Sequence, residues 1–500
     1  MTLRDYQLDA VARALDAVAR RVSAVVHLPT GAGKTQVAAE VVRRLARPVV
    51  FVAHRRELIA QAAARLESFG VPCGRIVGGA PRTDHAVQVA SVQSLARAAV
   101  LPPAAVLIVD EAHRAVSATY TALFAKAPDV PRLGLTATPF RLDGRGLRGV
   151  FDEIITGPTV AQLVTQGFLK PARVYVPPGP DLSAVPKRAG DFAQDRLGQV
   201  MRDAKLIGDL VEHFRRHGAP PAILFATGIE HSEECAAAFR FQGIPAEHLD
   251  GGTDLDVRAA ALARLASGET KIICNADLFG EGYDLPAIRT VILARPTASL
   301  ALFLQQIGRG ARPAPGKDCF TVLDHGGNYA RHFARLTFHW LPDRRSNCVD
   351  VLGVTLDGPP PKPPKETEAA VRRCPACFVF VVPGDAVCWS CGAAVPPPAK
   401  KKPPANNSDD LVPLSPEERA AASWADRRAW WLVHQNDKNL AANFRAKFGH
   451  LPPVYHGQFL DPEDPALESL RRRLLQSTTL AIGDRAYFVV RAKFAGQWPA

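Results

Sequence analysis

Pro29-Thr30-Gly31-Ala32-Gly33-Lys34-Thr35 brings small residues, a lysine and a hydroxyl together at a spacing suited to holding a polyphosphate. The small residues let successive backbone N–H groups turn toward one anion, and the helix that follows adds the positive end of its dipole. Lys34 is then a point charge for the β- and γ-phosphates of ATP, and Thr35 offers a hydroxyl to Mg²⁺. About 75 residues on, Asp110-Glu111-Ala112-His113 closes the apolar run Val106-Leu107-Ile108-Val109. An aspartate at such a strand end holds the same Mg²⁺ through water, and Glu111 is in place to orient or deprotonate an attacking water. A Gly-rich turn before a lysine is common as plain structure. Two such motifs in order, each after a strand-like run, make a nucleotide-hydrolysing site the better reading.

The elements that must position these residues alternate along the chain. Apolar runs at 24–28, 49–53, 88–90, 106–109 and 132–135 are separated by helical patterns such as 36–46 and 56–69. That rhythm predicts a mainly parallel sheet covered on both faces, with ligands beyond the carboxyl ends of its strands. A second α/β unit repeats it, with strand-like runs at 222–225, 271–274, 290–293 and 319–323 and helical patterns at 229–241, 256–267 and 300–307. Between them, 171–199 carries Pro177-Pro178-Gly179-Pro180 and reads as an irregular boundary.

Further motifs carry a resemblance. The chain resembles the superfamily 2 helicases of the DEAD/DEAH type, and within them the bacterial RadD-like DNA repair ATPases. Leu3-Arg4-Asp5-Tyr6-Gln7 resembles the adenine-recognising segment, with Gln7 at the base edge. Val52-Ala53-His54-Arg55-Arg56-Glu57-Leu58 and Ala90-Ser91-Val92-Gln93-Ser94-Leu95 resemble motifs Ia and Ib, which touch the nucleic-acid backbone. Leu135-Thr136-Ala137-Thr138-Pro139 resembles motif III, which couples hydrolysis to strand movement. Ile223-Leu224-Phe225-Ala226 resembles motif IV, and residues 275–284 resemble motif V, placing Gly282 and Asp284 near the ribose and the metal-bound phosphates. Gln305-Gln306-Ile307-Gly308-Arg309-Gly310-Ala311-Arg312 fits the whole motif VI pattern Q-x-x-G-R-x-x-R. The resemblance spans roughly residues 1–345. It implies two tandem RecA-like P-loop NTPase domains, with ATP in the cleft between them and Arg309 or Arg312 as an arginine finger for the γ-phosphoryl group.

Composition agrees and is less specific. The 500 residues suffice for two full domains and an accessory region, and 47% hydrophobic content supports real cores. Sixty-one Lys and Arg against 49 Asp and Glu give a net charge of +12, which favours polyanionic partners. There is no apolar run of membrane-spanning length, and the first residues already resemble the adenine-reading turn. A cytoplasmic, nucleoid-associated protein with no membrane partner is the expectation.

Beyond residue 355 the chain changes character. Pro359-Pro360-Pro361-Lys362-Pro363-Pro364-Lys365 reads as a stiff exposed linker. Cys374-Pro375-Ala376-Cys377 and Cys388-Trp389-Ser390-Cys391 follow, two C-x-x-C pairs ten residues apart. This is the spacing of a four-thiolate zinc ribbon, whose intervening residues 378–382 form a hairpin. A segment this short cannot bury enough apolar surface to order itself, so Zn²⁺ is expected to fold it as its own small unit. A second linker leads into a partly helical block, notably 417–433 and 440–448, where the segment from Ala442 to Gly449 resembles the small C-terminal helical segment of RadD-like proteins. Trp424, Trp430 and Trp431 there either pack a core or stack on bases or a partner.

The expected organisation is an ATP-binding domain at 1–170, an inter-domain segment at 171–200, a second helicase domain at 201–355, a linker at 356–370, the zinc ribbon at 371–395, a linker at 396–412 and the helical region at 413–500. The expected activity is an ATP-dependent DNA helicase or translocase of repair or recombination. Its partners would be DNA with single-stranded or branched character and a repair protein. An RNA-dependent ATPase, and an ATP-gated remodeller of nucleoprotein that never separates strands, are the alternatives.

Overall fold

The structure is a computed structural model that describes residues 3–78, 83–140, 145–188, 191–202, 204–279, 288–351, 353–358, 372–396, 454–455 and 458–459. Gly282, Asp284 and the helical region expected after 413, except for two short strands, lie outside the described residues. Those strands, Val454–Tyr455 and Gln458–Phe459, pair antiparallel within a separate unit, 399–500. Residues 1–398 form one compact unit containing both α/β domains.

The first domain holds β1 (Ala24–His27), β2 (Val49–Ala53), β3 (Gly74–Ile76), β4 (Val87–Ser91), β5 (Val106–Asp110), β6 (Arg132–Thr136) and β7 (Glu153–Thr156). Their order is β3-β4-β2-β5-β6-β1-β7, and every pair is parallel. Val49–Ala53 and Val106–Asp110 are buried at every position because helices cover both faces, which is why these strands read as continuous apolar runs rather than alternating ones. Parallel pairing also brings all strand carboxyl ends to one edge, where β1 runs into the phosphate loop and β5 ends in Asp110.

The second sheet holds β8 (Ala172–Tyr175), β11 (Ala222–Phe225), β12 (Ala246–Leu249), β13 (Ile272–Asn275), β14 (Thr290–Leu293), β15 (Phe320–Asp324), β16 (Leu336–Trp340) and β17 (Asn347–Val351). Its order is β12-β13-β11-β14-β15-β8-β17-β16, parallel as far as β8 and antiparallel at the last two. The small ribbon β9 (Lys187–Arg188) and β10 (Asp191–Phe192) lies between β8 and β11 in the chain.

Three expectations need correction here. Residues 172–175, placed in the inter-domain segment, form a strand of the second sheet, paired to β15. The flanking Pro171 and Pro177 made the stretch look irregular, yet the four strand residues Ala172–Tyr175 are buried or half-buried and bond on both sides. Residues 356–358, placed in the linker, are fixed against the first domain. Leu356 is buried there and accepts from Leu147 N at 2.6 Å, and Asp357 takes Arg148 at 2.5 and 2.9 Å.

The four-cysteine segment is likewise no free-standing unit. Phe380 N donates to Val174 O (2.7 Å) and Val176 N to Phe378 O (2.8 Å), so the segment adds an antiparallel bridge to β8. Cys374, Val379, Val381 and Cys388 share a core with residues of the second domain such as Leu210 and Leu323. The short segment gains from the neighbouring domain the burial it cannot supply itself.

Candidate active site

The phosphate loop leaves β1 at His27 and turns through Gly31 and Gly33, both left-handed at φ +86° and +85°. A side chain there would be strained and also obstructed: a Cβ on Gly33 would sit 2.4 Å from Gln7 Nε2, and one on Gly31 would sit 3.0 Å from Leu169 and 3.4 Å from Arg312. The helix Lys34–Leu45 starts at once, so Lys34 and Thr35 lie in its first turn with that turn's unpaired N–H groups. This is a cradle for a polyphosphate by donor set and by shape, and the residues fit ATP.

Gln7 is buried beneath the loop. Its Nε2 donates to Ala32 O (2.9 Å) and Gln36 Oε1 (3.1 Å), and its Oε1 accepts from Arg4 N (3.0 Å). Tyr6 OH donates to the same Ala32 carbonyl at 2.9 Å. Both side chains brace the loop. Beside them, the Arg4 guanidinium lies 4.0 Å from the Phe168 ring, forming a flat charged wall.

Asp110 and Glu111 stand at the end of β5. Asp110 is buried, and its Oδ1 accepts from Glu111 N at 3.0 Å. Glu111 itself adopts φ +49°, ψ +56°, a left-handed conformation that costs a residue with a Cβ about 1–3 kcal/mol. Nothing in the sequence flagged that turn. It lets Glu111 and His113 meet, with Oε2 and Nδ1 3.4 Å apart, and His113 then lies 3.5 Å from Thr136 Oγ1. Thr136 closes onto Thr138, whose N–H it accepts at 3.1 Å. The Asp-Glu-Ala-His and Thr-Ala-Thr motifs therefore form one contiguous polar cluster. Asp110 with Thr35 matches the all-oxygen donors Mg²⁺ requires.

The second domain closes over this edge. Gly308 ends the helix Leu300–Gly308, and a Cβ there would lie 2.6 Å from Thr30 Cβ, so glycine lets the helix end approach the Thr30 side chain. Arg309 is buried and Arg312 half-buried. Burial pushes the Lys34 ammonium below its usual range; Glu111 and Asp110 counteract this, and Arg309 and Arg312 reinforce it. Those influences place three cations and two carboxylates from two domains within electrostatic reach of one another.

Three contacts support the closed arrangement. Lys317 is buried and donates to Gly310 O (2.5 Å) and Arg312 O (2.8 Å), holding the arginine loop; burial brings its own pKa down to about 8. Arg258 and Glu57 pair at 2.7 Å between the domains, with Arg258 5% exposed. Arg55 donates across the cleft to Asp277 O and Leu278 O, each at 3.3 Å. The pairings of Arg258 with Glu57 and of Arg55 with Asp277 leave no local pattern, because each joins residues distant in the chain.

The four cysteine sulfurs lie within 4.8 Å of one another, with Cys374 and Cys391, and Cys377 and Cys388, 3.6 Å apart. A tetrahedron with metal–sulfur bonds of about 2.3 Å has sulfur–sulfur edges of roughly 3.8 Å, so the cluster fits Zn²⁺. Among the described residues no helix is long and apolar enough to cross a membrane.

Residues 1–141 match the family model described as the type III restriction enzyme, res subunit, and residues 204–314 match that of the helicase conserved C-terminal domain. A 51.5 kDa protein of a Lactococcus phage (isolate 7-9) is 31% identical over 372 residues, covering 74% of this chain and 77% of its own length. The putative ATP-dependent helicase IRC3 of Saccharomyces cerevisiae is 28% identical over 357 residues, 65% of this chain, which spans about half of that relative (51%). Among solved structures, a fragment of a putative HsdR subunit of a type I restriction enzyme from Vibrio vulnificus YJ016 superposes with a TM-score of 0.53 at 24% identity, covering 66% of this chain and 65% of that one. At that identity the likeness speaks for the fold.

Proposed function

We propose that this chain, which belongs to the superfamily 2 helicase-family ATPases and is an ATP-hydrolysing enzyme, uses hydrolysis in the inter-domain cleft to move along DNA. The observation that carries the reading is the approach of Gly308, Arg309 and Arg312 to the phosphate loop of the other domain. Arginines delivered across a cleft make turnover depend on closure, and closure is what a bound strand lying over both domains can bias.

In this reading Lys34 and the loop N–H groups hold the β- and γ-phosphates. Glu111 takes a proton from the water that attacks the γ-phosphorus as its bond to the ADP oxygen breaks, and Arg309 with Arg312 neutralises charge on the transferring group. Mg²⁺, held by Thr35 and Asp110, supplies charge neutralisation at the phosphates. Zn²⁺ on Cys374, Cys377, Cys388 and Cys391 supplies rigidity to the segment docked on β8. The matched family, that of a restriction-enzyme subunit, favours DNA over RNA. The finer role is repair or recombination, as the resemblance to the RadD-like ATPases implies, on single-stranded or branched DNA near the nucleoid and with a repair protein as partner. The grip is on phosphates and hence mostly independent of sequence.

The test is ATPase turnover at fixed salt with single-stranded, duplex and forked DNA and with RNA. Stimulation by DNA above RNA is the expected result; preference for RNA overturns the DNA reading. A DNA-stimulated enzyme that displaces a bound protein yet never separates a fork is a remodeller rather than a helicase.

A further inference from the structure

One element between β8 and the helix Ala204–His217 belongs to none of the motifs. The ribbon β9–β10 leads into the helix Gln194–Met201, and Val185, Phe192, Leu197 and Met201 give it a small core of its own. Its anchorage is specific. The Asp191 carboxylate accepts from Thr297 Oγ1 (2.8 Å) and Ala298 N (2.6 Å) and lies 3.7 Å from Arg295. These residues immediately precede Ser299, which caps the helix Leu300–Gly308 by accepting from Leu302 N. The ribbon is thus bonded to the start of the helix whose end delivers Arg309.

The same element walls a groove. Arg188 and Gln194 line it together with Arg55 and Arg114 of the first domain. Among the residues lining the groove, Arg295, Gln305 and Gln306 are 8%, 4% and 2% exposed, and Arg295 Nε, Gln305 Nε2 and Gln306 Oε1 have no hydrogen-bond partner among the described residues. The groove also holds Asp191 and Asp277, both turned to Arg295, and Asp195. Buried polar atoms are ordinarily satisfied, so the amide and guanidinium atoms left over beside those carboxylates point to a polar ligand. Arg188, exposed, faces Asp195 only at 4.0 Å, too long for a strong pair.

We infer that the ribbon is a strand-contacting element, with Arg188 holding a phosphate of a single nucleic-acid strand in this groove and Asp191 making the ribbon travel with the helix that carries Arg309. The inference rests on the nucleic-acid reading above. It adds a contact outside the recognised motifs and a mechanical link from strand to arginine. Arg188 binds; Asp191 is a positioning residue.

The experiment titrates a fluorescently labelled single-stranded oligodeoxynucleotide with the full chain, without nucleotide, at several salt concentrations. Loss of one phosphate contact lowers the slope of log K against log salt by about 0.7 for a single strand. Arg188→Ala is expected to show that drop, whereas Arg13→Ala, which removes the same charge from an exposed position of the helix Asp5–Ala19, keeps the wild-type slope. An unchanged slope in Arg188→Ala, or an equal drop in Arg13→Ala, overturns the contact. A wild-type chain that binds no strand at low salt overturns the nucleic-acid reading itself. Asp191→Ala is expected to bind the strand within about twofold of wild type while the ratio of stimulated to unstimulated ATPase falls at least about fivefold, the lower range for coupling between sites. An unchanged ratio disconnects the ribbon from the arginine helix.

Discussion

The two α/β domains share an architecture and differ in what they contribute to one reaction. In the first, the loop after β1, the acids ending β5 and the threonines after β6 all leave the same sheet edge, so the phosphate site assembles within one domain. The second contributes Arg309 and Arg312, which act where Gly308 meets Thr30. The contrast teaches that binding and triggering are separable: one domain holds the nucleotide, and closure of the other makes it react.

The largest expected effects break the first domain. Lys34→Ala and Glu111→Gln should each lower kcat by on the order of 10³-fold, within the range for lost charge stabilisation or a lost base. They should part in binding: Lys34→Ala weakens ATP itself, while Glu111→Gln retains it and accumulates the closed state on a strand. Equilibrium titration with a fluorescent ATP analogue separates them, and equal loss of affinity in both would remove Glu111 from its assigned role.

Smaller effects sharpen the comparison by touching only closure. Arg258→Ala deletes the pair with Glu57 and should lower turnover about tenfold, with nucleotide affinity nearly kept. Lys317→Met, which removes the donor to Gly310 and Arg312, should act the same way. Steady-state kinetics with saturating ATP check both; a rise in KM alone would assign these residues to binding.

The smallest effect on turnover belongs to the cysteine segment, which docks on β8 away from the phosphate loop. The wild-type chain should contain about one Zn²⁺ and Cys388→Ser should lose it. Melting should fall by at least about 3 °C, since the segment shares a core with the second domain, and basal ATPase should largely persist. Metal analysis under reducing conditions decides the point: negligible zinc in the wild type, or unchanged zinc in Cys388→Ser, defeats the assignment.

Legibility in the sequence followed the same division. Phosphate loop, acids and cysteine pairs are contiguous, because backbone turns and adjacent ligands demand local spacing. The strands buried on both faces were equally readable as apolar runs. Some of what escaped depended on distant parts of the chain: β8 hidden between prolines, Leu356 returning to the first domain, and Gln7 bonded to Ala32. Lys317 has near neighbours as partners and escaped because a lysine ordinarily reads as a solvated surface charge. The left-handed Glu111 escaped for another reason, since strain at a functional turn violates the local preference that sequence reading relies on.

The most direct test of separable binding and triggering is a single-turnover measurement on Arg309→Ala, Arg312→Ala and the double variant, with ATP affinity determined on the same preparations. The account predicts affinity within a few-fold of wild type and, in at least one single variant and in the double variant, hydrolysis slowed by about 10³-fold or more, as for loss of an arginine finger. Hydrolysis at the wild-type rate in the double variant, with Lys34→Ala inactive beside it, would contradict the account and leave the first domain acting alone.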